Sequence, residues 1–165
     1  MIGVYWGRFN PPHKGHLRLI KNILREVDTL VIAIGSAEFK NTPRNPFDGQ
    51  EKKFMMVAYL KELGINMNKV KVIPVPDGKS FSSAIKNLFR LCGKFDVLYT
   101  DKETIIKLIG KRVKVMRIKR IGNVSSTKIR DAIASGSKWE HLTGKSVAKL
   151  IEKFDGVERI KKAYK

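Results

Sequence analysis

The chain has 165 residues, 42% of them apolar and 30% charged, with 34 Lys and Arg against 15 Asp and Glu for a formal net charge of +19. That length and balance imply one globular domain with a real core and exclude a disordered chain. No apolar run approaches the roughly 20 residues of a membrane-spanning helix, and no basic region followed by a hydrophobic segment opens the chain, so a cytoplasmic protein without a membrane partner is expected.

Residues 2–6 are a short apolar run closed by Gly7, the pattern of a buried strand, and residues 16–27 carry the apolar spacing of a helix. Between them lies Gly7-Arg8-Phe9-Asn10-Pro11-Pro12-His13-Lys14-Gly15-His16, which holds two of the three histidines. At such a junction free backbone N–H groups and the positive end of the helix dipole favour an anion. His13 and His16 are three residues apart, with Gly15 between them to permit a tight turn, so both rings can face one point. The alternative is that His13 caps a turn and His16 packs at a helix start. A helix N-terminus disfavours imidazolium and an adjacent polyphosphate favours it, so proton uptake is expected when such a ligand binds.

Residues 29–35 read as a second strand. The long segment 36–49, in which Pro43 and Pro46 flank Arg44, is either a loop that closes over substrate or a plain surface loop. A helix at 54–63, a strand at 70–75, a helix at 81–91, a strand at 97–100, a helix at 103–109 and a strand at 112–116 continue the alternation. Cys92, Trp6 and Trp139 read as packing residues. Ser125-Ser126-Thr127-Lys128-Ile129-Arg130 carries N-cap signals for a further helix. An anion at that end would take backbone N–H groups, a hydroxyl and the fork of Arg130 together, although an ordinary capped helix with a surface arginine has the same pattern. From Ser137 the chain reads as a helical tail.

The alternation predicts an α/β fold: a Rossmann-like, doubly wound, five-stranded parallel sheet over residues 1–136, with a small C-terminal helical extension over 137–165 of the same domain. The ligand crevice of such a sheet lies beyond the carboxyl ends of its strands, where strand order reverses. Basic residues are spread along the chain, with denser runs at 111–120 and 159–165, and apart from Tyr164 no aromatic residues interleave them as a stacking platform would need. A nucleic-acid partner is therefore disfavoured relative to small polyphosphates or solvated faces. The Lys-rich composition, with Gln50 the sole glutamine, suits a thermophile.

The segments 7–16 and 125–130 together resemble the nucleotidylyltransferase superfamily, which carries an early His-x-Gly-His and a late Ser-Ser/Thr-x-x-Arg. Within it the chain is most similar to the archaeal type of nicotinamide mononucleotide (NMN) adenylyltransferase. Gly35-Ser36-Ala37, Arg44-Asn45-Pro46-Phe47, Phe95-Asp96 and Asp155-Gly156-Val157-Glu158-Arg159-Ile160 extend the likeness nearly end to end. The resemblance implies transfer of AMP from ATP to NMN, giving NAD and pyrophosphate, with Mg²⁺ accompanying ATP and no protein ligand set for the metal. It implies catalytic roles for His13, His16, Arg44 and Arg130, and ATP contacts from these histidines, Gly7, Arg8, Phe9, Ser125, Ser126, Thr127 and Arg130. Asp77 and Phe81 would serve the acceptor, and a homo-oligomer is implied. Two positions depart from the family pattern. Its acceptor-pocket Asn and Trp are here Phe81 and Ala84, and its Ser-Gly-Asn after the fourth strand is Thr100-Asp101-Lys102. Phe81 either supplies a stacking ring or is the first core residue of its helix. A different phosphorylated acceptor, such as phosphopantetheine, or a noncatalytic nucleotide- or nucleic-acid-binding protein are the other readings.

Overall fold

The computed structural model describes residues 1–109 and 111–165. Strands β1 (Ile2–Gly7), β2 (Thr29–Ile34), β3 (Val70–Pro74), β4 (Val97–Thr100) and β5 (Lys114–Arg117) form a five-stranded sheet in the order β3-β2-β1-β4-β5. All pairings are parallel; β1 runs from Ile2↔Thr29 to Gly7↔Ile34 against β2, and from Gly3↔Val97 to Tyr5↔Tyr99 against β4. The strand order turns back between β1 and β4, so the crevice beyond their carboxyl ends belongs to the segments after Gly7 and Thr100.

Both faces of the sheet are covered because successive strand residues point to opposite sides. Tyr5, Leu30, Ile32, Ile34, Val70 and Val72 enter one core with Leu17, Ile20, Met55, Leu60, Ile129 and Ile133. Val4, Trp6, Val31, Ala33 and Leu98 enter the other, against Ala84, Ile85, Leu88, Ile105 and Ile109. Helices α1 (Lys14–Ile23), α2 (Gly49–Glu62) and α5 (Ser126–Ser135) supply the first face; α3 (Phe81–Cys92) and α4 (Glu103–Ile109) supply the second.

Caps move two helix starts ahead of their apolar patterns. His13 caps α1, which begins at Lys14, and Asp48 caps α2, which begins at Gly49, five residues before Phe54. The Asp48 carboxylate accepts from Glu51 N at 2.9 Å and Glu51 returns the bond to Asp48 N at 3.0 Å, satisfying two donors that the helix itself leaves open. The edge strand β5 pairs over Lys114–Arg117 and is largely exposed, which is why its apolar pattern at 112–116 marks its position poorly.

The C-terminal segment is not peripheral. Helices α6 (Lys145–Lys153) and α7 (Gly156–Ala163) place Val147, Ile151 and Ile160, all at 0% exposure, into the same core as Leu17 and Met55. Ile151→Ala should therefore lower unfolding free energy by about 2–5 kcal/mol in urea titrations, as for any fully buried aliphatic side chain; an unchanged midpoint would show that the tail adds nothing to the core's stability.

Candidate active site

The segment after β1 is held by its carbonyls. Pro11 and Pro12 have no N–H to give, and the carbonyl oxygens of residues 10–12 are each taken by a side chain from elsewhere. Arg130 Nη1 donates to Asn10 O at 2.9 Å, Ser126 Oγ to Pro11 O at 2.8 Å and Thr143 Oγ1 to Pro12 O at 2.7 Å. The Asn10 side chain, fully buried, binds the backbone of Phe47 in both directions, at 2.9 and 3.2 Å. Residues of α5, the α6 approach and the loop before α2 thus converge on one short stretch.

Out of that stretch come the two histidines, and the capping alternative read from the sequence holds, in an arrangement that also sets the two rings side by side. His13 Nδ1 accepts from Gly15 N at 3.1 Å, and His16 Nδ1 accepts from His13 N at 3.2 Å, a capping box built from imidazoles. With Nδ1 an acceptor, each neutral ring carries its hydrogen on Nε2, free to donate outward. The rings stack with centroids 3.6 Å apart and 28° between planes, and Phe9 packs edge-on against His16 at 4.8 Å. Gly15 matters for space: a Cβ there would lie 3.0 Å from His13 Cε1 and 3.1 Å from Ile121 O.

Facing them is the N-terminus of α5. Ser125 caps it by accepting from Lys128 N at 3.1 Å, which leaves the N–H groups of Ser126 and Thr127 without intrahelical partners. Arg130 is buried, and its Nη2 reaches Thr127 Oγ1 at 3.3 Å. A cleft of about 410 Å³ brings Gly7, Arg8, Phe9, His13, His16, Arg44, Ser125, Ser126, Thr127 and Arg130 together. Arg8 is held below its ordinary value by burial first, then by Arg44 and Arg130, and the Nε atoms of Arg8 and Arg130 are buried without partners among the described residues. Asp101 is the one carboxylate lining this cationic cleft among the described residues. Positive charge in the cleft thus exceeds negative, an arrangement that a polyphosphate can satisfy.

Asp77 and Phe81 lie outside that cleft lining. Asp77 is engaged by Ser36, which donates from N at 3.0 Å and from Oγ at 2.7 Å. Glu38 in turn accepts from the N–H groups of Asp77 and Gly78 at 3.0 and 2.8 Å. Phe81, 42% exposed, opens α3 after the Ser80 cap and is not a core residue. Four contributors were given no role from the sequence, although Lys102 stands there as a departure from the family pattern. Asn10 sits inside the motif but offers no chemistry of its own. Lys52 is fully buried, donates to Gly35 O at 2.8 Å, and is pushed down to about 7 by burial, then by Arg8. Lys102 lies 5.7 Å over the Trp6 ring and is lowered by burial, then Arg8. Arg120 lines the cleft from the end of a basic run that otherwise reads as solvated.

A model of the cytidylyltransferase-like family matches residues 4–132. The nicotinamide-nucleotide adenylyltransferase of Pyrobaculum arsenaticum is 36% identical over 165 residues, 98% of this chain and 93% of that one. That of Thermococcus kodakarensis is 33% identical over 162 residues, 96% and 86% of the two chains. The chain belongs to the cytidylyltransferase-like family, among the archaeal nicotinamide-nucleotide adenylyltransferases. In fold it is similar to the bifunctional NMN adenylyltransferase/ADP ribose pyrophosphatase of Francisella tularensis, solved with AMP and a manganese ion. The TM-score there is 0.79 at 22% identity, over 98% of this chain and 51% of that one, so this chain spans about half that enzyme's length. The Plasmodium falciparum nicotinic acid mononucleotide adenylyltransferase, complexed with NaAD, overlays with a TM-score of 0.65 at 11% identity.

In this member of the family both histidines are neutral at pH 7. His13 is pushed down to about 4 by desolvation, then by Arg120; His16 falls well below its ordinary value through desolvation, then His13 and Arg120. A second proton would have to enter at Nδ1 and would break the caps. The proton uptake expected from the sequence is thereby opposed, and calorimetry of ATP binding in buffers of different ionisation enthalpy should show none from these rings at pH 7.5. The same depression has a stability sign. The unfolded chain protonates its histidines first, near pH 6.5, so stability is complete above 6.5 and is lost as pH falls toward 4. His13→Asn keeps a capping side chain without the titration and should flatten that loss in urea midpoints measured from pH 7 to 4.5; an equally steep loss would place the titration elsewhere.

Proposed function

We propose that the protein is a nicotinamide-nucleotide adenylyltransferase that transfers AMP from ATP to the phosphate of NMN, giving NAD and pyrophosphate. The observation that carries this reading is the single cleft in which two helix N-termini, two neutral imidazoles and the cations Arg8, Arg44 and Arg130 surround space for a triphosphate. The acceptor's phosphate oxygen attacks the α-phosphorus in line. A new P–O bond forms as the bond to the bridging oxygen of the β-phosphate breaks, and pyrophosphate leaves with the electron pair. No covalent enzyme intermediate is needed.

His13 and His16 donate Nε2–H bonds to the ATP phosphates, His16 nearest the α-phosphate, and Phe9 backs the His16 ring. The backbone of Gly7 and Arg8 lies along the nucleotide. Arg130, Arg44 and the N–H groups of Ser126 and Thr127 hold the outer phosphates, where charge builds as pyrophosphate departs. Ser125 acts through its cap on Lys128 N and Ser126 through its backbone, because the Ser126 hydroxyl donates to Pro11 O. Neutral donors suit this work, since their strength does not depend on taking up a proton at pH 7. Asp77 and Phe81 mark the acceptor side.

Magnesium enters with ATP as part of the substrate. Among the described residues no group of three or more His, Cys, Asp or Glu is placed to hold a metal, and Nδ1 of both histidines is already engaged. The ion would therefore be held by phosphate oxygens and water, where it offsets charge on the reacting phosphates. A cytoplasmic homo-oligomer completes the proposal.

Incubation with ATP, magnesium and NMN should release pyrophosphate and form NAD. His16→Ala should lower kcat by about a hundredfold or more, the loss typical of one preorganised donor to a charged transition state. Release only with another phosphorylated acceptor, such as phosphopantetheine, would overturn the assignment of NMN, and no release with any acceptor would leave a binding protein.

A further inference from the structure

We propose that Arg159, on the C-terminal helix, is a positioning residue for nucleotide binding, because it grips both legs of the turn that carries Arg44 into the cleft. The inference rests on the reading of Arg44 as a phosphate-binding arginine. Residues 41–46 fold back on themselves: Asn41 N donates to Pro46 O at 3.2 Å, Thr42 N to Asn45 O at 3.2 Å, and Asn45 N to Thr42 Oγ1 at 3.0 Å. Arg44 stands at the tip, exposed and lining the cleft. Its neighbours within the turn give its side chain no tie of their own, so its place depends on how the legs are held.

Arg159 holds them with its whole fork. Nε donates to Asn41 Oδ1 at 2.8 Å, on one leg, and Nη2 donates to Pro46 O, on the other. Nη1 and Nη2 also form a bidentate pair with Glu51, at 2.8 and 3.0 Å, and Nη1 reaches Phe154 O at 3.1 Å. The guanidinium lies 5.1 Å from the centroid of the Phe47 ring. The first turn of α7 presses on that same ring: a Cβ on Gly156 would lie 2.6 Å from Phe47 Cζ. Phe47 is joined through its backbone to Asn10, whose own carbonyl binds Arg130. A continuous set of contacts therefore runs from α7 to the tip of the turn and to the cleft floor. Only a planar five-donor group can serve Asn41, Pro46, Glu51 and Phe154 together; a lysine ammonium cannot.

The turn has a second anchor that makes the test practicable. Lys40 Nζ approaches Asp48 at 3.3 Å and Glu51 at 3.2 Å, so the base of the loop keeps a cation on Glu51 when Arg159 is changed. Arg159→Lys should fold and should raise the KM for ATP about tenfold, the scale of loss for a displaced binding group. The KM for the acceptor should stay within about twofold, a split that general destabilisation does not produce. Rates are measured well below the unfolding temperature of each variant. The deciding comparison is a cycle with Arg44→Ala. Once Arg44 is gone, Arg159→Lys should have no further effect on kcat/KM for ATP. If Arg44→Ala raises the KM but Arg159→Lys costs nothing, or costs the same factor with and without Arg44, the positioning role is overturned while the reading of Arg44 stands. If Arg44→Ala leaves the KM for ATP unchanged, that reading falls and this one with it. Should Arg159→Lys not fold, Asn41→Gly removes the contact to one leg at a position whose φ of 56° glycine accepts, and the same cycle decides with the same outcomes.

Discussion

The site depends on the capture of carbonyl groups in residues 10–12. Two successive prolines remove the donors that would let this stretch join a helix or a strand, yet its acceptors are buried and must be satisfied. Arg130, Ser126 and Thr143 satisfy them from two separate helical regions, at 2.9, 2.8 and 2.7 Å. Because these partners lie more than a hundred residues away in sequence, the motif cannot assume its shape until the chain around it has folded. In return it is held on every side, and the capping histidines that follow inherit a fixed direction. Preorganisation of donors ahead of substrate is the condition for electrostatic catalysis to be effective, since nothing then needs to reorient as charge develops.

The same packing sets the electrostatics. Desolvation is the main cost of gathering arginines in one cleft, and their mutual repulsion adds to it, which is why Arg8 sits below its ordinary value. Histidines in the same surroundings respond by staying neutral, so the cleft keeps two good donors without adding two more positive charges. The net charge of +19 contributes at longer range by attracting polyphosphate. On the proposed reading local and global charge thus do different jobs: the field gathers anions, and the neutral rings with the helix ends direct where the phosphates lie.

How much of this was legible in the sequence follows from the range of the forces involved. The alternation of strands and helices, the crevice after β1 and the cap at Ser125 are local, and they emerge from apolar spacing and capping residues alone. The starts of α1 and α2 were placed late because His13 and Asp48 cap through contacts that apolar periodicity does not register. Residues 145–163 read as a helical tail because their apolar positions mark helices without saying what those helices pack against, although Val147, Ile151 and Ile160 are buried to the limit. Each of the two basic runs hides one residue unlike the rest: Arg120 faces the cleft, and Arg159 is wrapped by acceptors from three segments. Composition treats every arginine in a run alike; only tertiary contact separates them.

The two sides of the proposed reaction are built with different degrees of independence. On the donor side Arg130, Asn10 and Phe47 share one set of bonds, and the histidines that follow Asn10 form a second, joined through their own caps, so changing any member of the first set disturbs the others. On the acceptor side Ser36, Asp77, Glu38 and Lys52 form a smaller set at the ends of β2 and β3 that shares no hydrogen bond with the first. The two sets are coupled through charge, since beyond the effect of burial Asp77 acts to raise Arg8 and Arg8 to lower Lys52, so a change of charge near Asp77 reaches the cleft, whereas a neutral one has no shared side-chain hydrogen bond to act through among the described residues. Phe81 illustrates the consequence, since it stands exposed at the head of α3 and no buried contact constrains what side chain occupies that position. On the proposed reading such a chain can keep its nucleotide donor while the surface met by the acceptor changes; Lys102, a cation over Trp6, lines the phosphate cleft instead.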